Sequence, residues 1–290
     1  MSLKLKAKDK PTAKDGRGAI HGRVAIIDAD PLVYRIGFAC QKTIHTKDGV
    51  DFRNKTDMKD VLGEEVEADS TRVEVEDKSH AFRSVNLIID TILEETSSSR
   101  YELYLTGKDN FRKELAVTAE YKGNRNKLHK PVLYDEIRNF LINRHNAIVI
   151  DGMEADDMCS IRHTQEKDSV ICSTDKDLDM LPGLHYNYAK ARLYMVECKE
   201  GMLNFYSQIL TGDTTDNIKG IYGIGKKKAQ ALLAGCETEE DCFHVVMQVY
   251  NERYGEDKGI ERLSETAALL WMLREEKELW TPELVGKYYE

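Results

Sequence analysis

The sequence predicts an α/β fold: a mostly parallel central sheet flanked by helices, followed by a helical C-terminal region. Two observations carry this. Short apolar runs, first among them RVAIID at Arg23–Asp28, alternate with amphipathic segments, as strands joined through helices do. From Leu203 onward the strand pattern stops, and Gly220-Ile221-Tyr222-Gly223-Ile224-Gly225-Lys226 supplies the glycines for a tight turn between two helices. A length of 290 residues with 41% hydrophobic and 32% charged residues suffices for a large core.

Taken in order, residues 1–22 are polar, lysine-rich and aperiodic, and are expected to form a flexible arm. Arg23–Asp28 reads as a buried strand. Asp30-Pro31 reads as an N-cap followed by proline in the first helical position, with the helix running to about Cys40. Residues 41–78 are polar and acidic, and the alternation Arg72-Val73-Glu74-Val75-Glu76 suggests an inserted hairpin or loop. Ser79–Glu95 is an amphipathic helix, Glu102–Thr106 a second strand, and 107–130 a basic stretch with little apolar periodicity. Helices are expected at Pro131–Asn143 and Glu154–Thr164, and a short one from Asp177 to Leu181. Further strands are expected at Ala147–Ile150, Ser169–Ser173, His185–Tyr188 and Leu193–Glu197. The chain thus divides into an arm (1–22), an α/β core (23–202) and a helical region (203–290), with no proline- or serine-rich linker before the last.

Several function classes drop out. No apolar run approaches the roughly 20 residues that span a bilayer, and the basic N-terminus is not followed by the apolar stretch of a signal peptide. The six cysteines form no Cys-x-x-Cys pair, which argues against zinc and for thiols in a reducing, cytoplasmic setting. No Gly-x-x-x-x-Gly-Lys-Ser/Thr motif supports ATP hydrolysis. The net charge of −9 argues at first against nucleic acid, but its distribution matters more. Residues 1–23 carry a net +5 and 108–130 a net +4, whereas 48–79 carry −6.

The acids fall in a pattern. Asp28 closes the first strand, Asp109 follows the second, Glu154, Asp156 and Asp157 follow the strand ending at Ile150, and Asp175 and Asp177 follow the next. In an open parallel sheet these positions share the edge where ligands bind. Asp213 and Asp216 join them if the helical region folds back. So many carboxylates would repel one another unless cations sat between them. Two Mg²⁺ ions fit that need and that oxygen-only donor set, and two such metals catalyse phosphodiester cleavage. Asp30 is read as a helix cap, not a ligand.

Lys108, Arg112, Lys113, Lys122, Arg125, Lys127 and Lys130 surround Phe111 and Tyr121. Basic residues interleaved with aromatics suit a single nucleic-acid strand, whose bases stack while its phosphates are paired. Gly220, Gly223 and Gly225 with Lys226, Lys227 and Lys228 make a phosphate grip from backbone N–H groups and ammonium groups.

Together these residues resemble the 5′ nuclease superfamily, over roughly residues 23–235. The motifs that carry the resemblance are Phe111-Arg112-Lys113-Glu114-Leu115, Tyr121-Lys122-Gly123-Asn124-Arg125, Glu154-Ala155-Asp156-Asp157, Ser173-Thr174-Asp175-Lys176-Asp177-Leu178 and Gly212-Asp213-Thr214-Thr215-Asp216-Asn217-Ile218, in the family's order. Gly220–Leu233 is similar to the family's helix-hairpin-helix. The compact size looks most like a stand-alone phage enzyme.

The resemblance implies a PIN-like nuclease core and a divalent-metal-dependent 5′–3′ exonuclease or flap endonuclease acting on DNA or RNA/DNA hybrids. Asp28, Asp109, Glu154, Asp156, Asp157, Asp175, Asp177, Asp213 and Asp216 would hold two Mg²⁺, with Mn²⁺ able to substitute. Lys122 and Arg125 would contact the scissile phosphate, and Asp28, Asp156 and Asp175 would stand at the centre of catalysis. Tyr121 would stack on a base, and residues 107–130, with Lys108, Arg112 and Lys127, would arch over a 5′ single strand. Gly223, Gly225 and Lys226–Lys228 would hold duplex DNA, with K⁺ on the hairpin carbonyls. A monomer in the cytoplasm, that of the host for a phage protein, is implied.

Three features depart from the family. Gly107 stands where an aspartate usually follows the second strand, with Asp109 two residues on as a substitute. Tyr222 and Lys226 replace prolines. The acidic segment 48–79 has no counterpart, and reads as an insertion or as a surface that repels DNA from a wrong path. The competing readings are a PIN-type ribonuclease and a DNA-junction binder that does not cleave.

Overall fold

The computed structural model describes residues 22–63, 67–125 and 129–289. Nearly all of the expected N-terminal arm and Lys127 lie outside them, as does the Arg125 side chain.

Strand β1 (Val24–Asp28) is wholly buried. Helix α1 (Asp30–Ala39) follows at once, with Pro31 in its first turn. Its N-cap is Ala29 and no side chain caps it. Asp30 is therefore not the cap expected from sequence: its carboxylate accepts hydrogen bonds from Thr106 N (3.0 Å) and Arg138 Nη1 (3.2 Å).

The expected hairpin is part of a three-stranded antiparallel sheet, with β2 (Gln41–Lys47) between β3 (Val50–Phe52) and β4 (Ser70–Val75). Lys47 pairs with Val50 across Asp48-Gly49, and both turn residues have positive φ (50° and 77°). That is the type I′ geometry an Asp-Gly pair favours. Helix α2 (Lys55–Leu62) starts on Asn54, whose side chain accepts from Asp57 N, and buries Met58.

The chain then runs through α3 (Lys78–Thr96), β5 (Arg100–Thr106), the single turn α4 (Arg112–Leu115), α5 (Tyr134–His145) and β6 (Ile148–Ile150). It continues as α6 (Ala155–Gln165), β7 (Ser169–Cys172), a 3-10 turn at Asp177–Met180, β8 (Gly183–Asn187) and β9 (Arg192–Val196). The C-terminal region comprises α7 (Cys198–Thr211), a two-residue ribbon pairing Gly212–Asp213 with Ile218–Lys219, α8 (Lys226–Leu233), α9 (Glu239–Tyr254) and α10 (Glu256–Leu270). Helix begins five residues before the expected Leu203, and it does not reach the end. Residues 271–289 are irregular but for one 3-10 turn, because they lay Trp271, Trp280 and Tyr289 into the core instead of forming an amphipathic stripe.

The central sheet has the order β6-β5-β1-β7-β8-β9, parallel as far as β8, with β9 antiparallel at the edge. Ala25, Ile27, Leu103, Leu105, Val170 and Cys172 face α1, α3 and α5; Val24, Ile26, Tyr104 and Ile171 face the opposite way, towards α6 and the C-terminal helices. Both faces are covered, as a parallel sheet requires. The C-terminal helices share a continuous apolar core with Ile161, Ile171, Leu178 and Met180.

A buried ion pair crosses that core. Arg112, 2% exposed, sets its guanidinium against the fully buried Asp157, Nη1 to Oδ2 at 2.6 Å and Nη2 to Oδ1 at 2.8 Å. Its Nε and Nη2 also donate to the carbonyls of Leu269 and Trp271. Asp157 in turn accepts from Leu273 N and Glu154 N. Arg112 thus joins α4, the start of α6 and the end of α10. Arg112→Ala would leave Asp157 charged and buried, which costs about 3–5 kcal/mol. The expected result is a large drop in urea midpoint with unchanged slope; a midpoint within experimental error of wild type would contradict this account.

Candidate active site

Chain direction places the site. From β1 the sheet grows one way to β5 and β6, and the other way to β7 and β8. The connections leaving β1 and β7 therefore diverge and open a crevice at their carboxyl ends, the place where α/β sheets bind ligands. Ser173, just past β7, bridges that crevice by donating to Asp28 Oδ2 (2.9 Å), while Asp28 Oδ1 accepts from Asp30 N (3.3 Å).

A cavity of about 450 Å³ opens there, lined by eight carboxyl groups: Asp28, Asp30, Glu154, Asp156, Asp175, Asp177, Asp213 and Asp216. Asp175 accepts from Asp177 N (2.9 Å), and Gln208 donates to Asp177 (2.6 Å). Asp213 arrives from the ribbon after α7, its Oδ1 accepting from Thr215 N (2.6 Å). The helical region thus does fold back over the sheet edge.

Besides Arg138 on Asp30 and the exposed Lys176 near Asp177, Lys122 and Arg112 enter the cluster. Lys122 Nζ pairs with Glu154 Oε1 and lies 3.5 Å from Asp216 Oδ2. Its backbone has a positive φ of 56° and is held by Lys122 N donating to Asp216 O (2.9 Å). Arg112 Nη1 lies 3.6 Å from Glu154 Oε2. The Tyr121 hydroxyl sits 2.6 Å from Glu154 Oε2 and 2.8 Å from Asp216 Oδ2, one proton between two acceptors.

Charge in the cavity is out of balance. Burial, with Asp30 and Asp175 close by, pushes the Asp28 carboxyl up to about 8. Burial and the neighbouring Asp175 and Asp213 push Asp177 up to about 7. Burial raises Asp30 and Asp175, and with Glu154 and Asp157 alongside it lifts Asp156 far above the carboxylate range. Glu154 goes the other way: burial opposes ionisation, but Lys122 and Arg112 outweigh it. Burial likewise disfavours the Lys122 ammonium, yet Glu154 and Asp216 hold it protonated.

A hard divalent cation fits this donor set, which is all oxygen and short of positive charge. Among the described residues no three His, Cys, Asp or Glu side chains already converge as ligands of one ion. The carboxylates ring the cavity wall, with the Lys122 ammonium between two of them.

The structure brings together most, but not all, of the sequence-predicted residues. Asp28, Glu154, Asp156, Asp175, Asp177, Asp213, Asp216, Tyr121 and Lys122 line the cavity. Asp109 does not: it is exposed and outside it, because the turn after Gly107 leads away from the edge. Asp157, expected as a ligand, is consumed by Arg112, and Arg112, expected on DNA, is buried by the same pair. Tyr121, expected to stack on a base, is 5% exposed and turned inward. Lys108 is exposed outside the cavity, and Gly223, Gly225 and Lys226–Lys228 form an exposed corner at the start of α8, anchored by buried Ile221 and Ile224. Sequence reading missed Asp30, Tyr34 and Tyr134 on the cavity wall. Tyr34 and Tyr134 meet edge to face at 5.2 Å; the i, i+4 spacing of Asp30 and Tyr34 on α1 was the available signal.

No family model matches the chain. It is 28% identical over 177 residues to the exodeoxyribonuclease of Enterobacteria phage T3 and, equally, to the exonuclease of Escherichia phage T7, in each case over 58% of both chains. The match thus spans well under two thirds of these relatives' length. Among solved structures, the T5 D15 protein co-crystallised with metal ions superposes with a TM-score of 0.50 and 19% identity over 86% of each chain. The chain thus shares the fold of that phage protein. No helix among the described residues is long and apolar enough to cross a membrane. All six cysteines are free thiols, five of them buried.

The charge imbalance has a measurable sign. Carboxyls whose folded pKa lies above 3.8 bind extra protons in the native state, so stability falls as pH rises through that window. His163 and His185, held down to about 4 by burial, oppose this only below about 6.5. In chelator, the melting temperature should therefore fall between pH 6.5 and 8, and Mg²⁺ or Mn²⁺ should restore it most at pH 8. A melting temperature that is flat across this range and indifferent to metal would contradict the electrostatic account.

Proposed function

We propose that the chain is a divalent-metal-dependent, structure-selective 5′ nuclease that hydrolyses phosphodiester bonds of DNA or RNA/DNA hybrids, as a 5′–3′ exonuclease, a flap endonuclease or both. The observation that carries this reading is the oxygen-only ring of eight carboxyls around one cavity with a lysine ammonium inside it. The names of the two phage relatives agree with it.

Asp28, Glu154, Asp156, Asp175, Asp177, Asp213 and Asp216 hold two Mg²⁺ or Mn²⁺ ions, directly or through water. Such ions, when bound, lower the pKa of a water and neutralise charge on the leaving oxygen. Lys122 does the protein's own part. It is kept protonated by Glu154 and Asp216, and a phosphate entering the cavity offers its ammonium a new partner. Arg125 is proposed to contact the same phosphate. The partly exposed Tyr34 and Tyr134 take the stacking role first read into Tyr121, since aromatic faces hold unpaired bases without regard to sequence. Residues 107–130 arch over the 5′ strand, with Lys108 and Lys127 on the backbone. Gly223, Gly225 and Lys226–Lys228 act as a helix-hairpin-helix on duplex DNA, with K⁺ on its carbonyls. The α/β core of 23–202 and the helical region of 203–290 work as one enzyme, a monomer in the cytoplasm, that of the host for a phage protein.

A second reading, a junction binder that does not cleave, has Gly107 in its favour, because β5 ends without a carboxylate. A 5′-flap duplex labelled at either end, with Mg²⁺ or chelator, separates the two. Mg²⁺-dependent cuts are expected at the junction or stepwise from the 5′ end; tight binding without cleavage in Mg²⁺ and Mn²⁺ would favour the binder. Asp175→Asn should abolish cleavage and largely spare DNA binding. Lys122→Ala should slow the single-turnover step by about 10²-fold or more while changing binding little, in line with loss of one charge stabiliser.

A further inference from the structure

Strand β5 ends at the cavity, yet it brings no acid there. Gly107 lines the wall and has no room for a side chain: a Cβ would stand 2.8 Å from the Ile150 carbonyl oxygen and 2.1 Å from Asp151 Oδ1. The backbone is fixed in that position by Gly107 N donating to Ile150 O (2.7 Å). Asp109, the nearest acid along the chain, is exposed and outside the cavity.

Asp30 reaches this gap from the neighbouring element. It sits two residues past Asp28, in the first turn of α1, and lines the cavity. Its Oδ2 accepts from Thr106 N at 3.0 Å, so the carboxylate lies over the last residue of β5, beside Gly107. Its own N–H donates to Asp28 Oδ1, so one tight turn delivers both carboxylates. Arg138 fixes the other oxygen at 3.2 Å, and separately donates to Thr106 O at 2.9 Å. The Thr106 hydroxyl is a third partner, and a carboxylate, with about four lone-pair sites, still has one left for a cation.

We infer that Asp30 is a cation ligand of this site and supplies, across the end of β5, the carboxylate that Gly107 cannot. The inference rests on the metal-dependent reading above. The alternative role for Asp30 is purely structural: an ion pair with Arg138 that ties α1 to α5.

Mn²⁺ titration of the DNA-free protein, followed by calorimetry and by the loss of the free-ion paramagnetic resonance signal, tests this without any activity assay. Asp30→Asn keeps one acceptor, for Thr106 N, and Arg138 keeps its bond to Thr106 O, so the fold should survive in chelator. It should bind one Mn²⁺ fewer or bind at least about tenfold more weakly, whereas Asp109→Asn should match wild type. Asp30→Glu keeps the charge opposite Arg138 but moves the carboxylate by one methylene. It should also weaken Mn²⁺ if Asp30 is a ligand, and bind normally if only the ion pair matters; it also serves if the Asn variant is unstable. Wild-type Mn²⁺ binding in Asp30→Glu, whatever Asp30→Asn shows, or a loss in Asp109→Asn, would overturn the assignment. Failure of the wild type to bind Mn²⁺ at all would instead sink the metal-dependent reading and this one with it.

Discussion

The site hangs on one buried ion pair, Arg112 with Asp157. A guanidinium and a carboxylate removed from water are stable together only when the geometry is good and the remaining donors are met. Here the fork is bidentate, and the other guanidinium donors reach the carbonyls of Leu269 and Trp271. Because those partners come from α4, α6 and the end of α10, the pair fixes three parts of the chain far apart in sequence. Asp157 also holds the backbone of Glu154, the first carboxylate of the cavity on that side. The stretch that carries Tyr121 and Lys122 begins just past α4, so its path over the cavity starts from the same anchor.

Around that anchor the protein concentrates negative charge in largely buried positions. Burial works against ionisation, and at Asp28, Asp156 and Asp177 it raises the carboxyl well above its ordinary value. Where a cation is at hand the balance reverses, as at Glu154 beside Lys122 and Arg112. The cavity is built for more positive charge than the chain supplies. That is a poor arrangement for stability, and it makes sense as one whose missing cations come from solution.

The helical region completes the site rather than decorating it. Asp213 and Asp216 belong to the ribbon and loop that follow α7, and Lys122 is clamped to that loop through the Asp216 carbonyl. The apolar core beneath runs without a break from Ile171 of the sheet to Trp280 and Tyr289. The exposed lysines of the α8 corner therefore rest on the same apolar core as the carboxylates.

The sequence by itself determined the local elements and the acids at strand ends. Apolar runs and amphipathic periods reflect solvent and backbone geometry that act over a few residues, so β1, α3, β5, β7 and the β8–β9 pair were legible, as was the grouping of Asp28, Asp156, Asp175 and Asp213. The Asp48-Gly49 turn carries its own conformational preference, and the alternation at Arg72–Glu76 suggests a hairpin, but the third strand of that sheet has no local signal. The tertiary structure alone decided which charges would meet. Arg112 stands in a basic run, and nothing local separates it from Lys108 or Lys113; only packing against Leu269 and Trp271 makes it a core residue. Asp157 and Asp156 are adjacent, yet one is consumed by that arginine and the other faces the cavity. Asp30 has the sequence signature of a helix cap, and Asp109 that of a strand-end ligand. Their places are set by a backbone turned at Gly107 and by Thr106 and Arg138, contacts 76 and 108 residues away in sequence that no short-range pattern encodes.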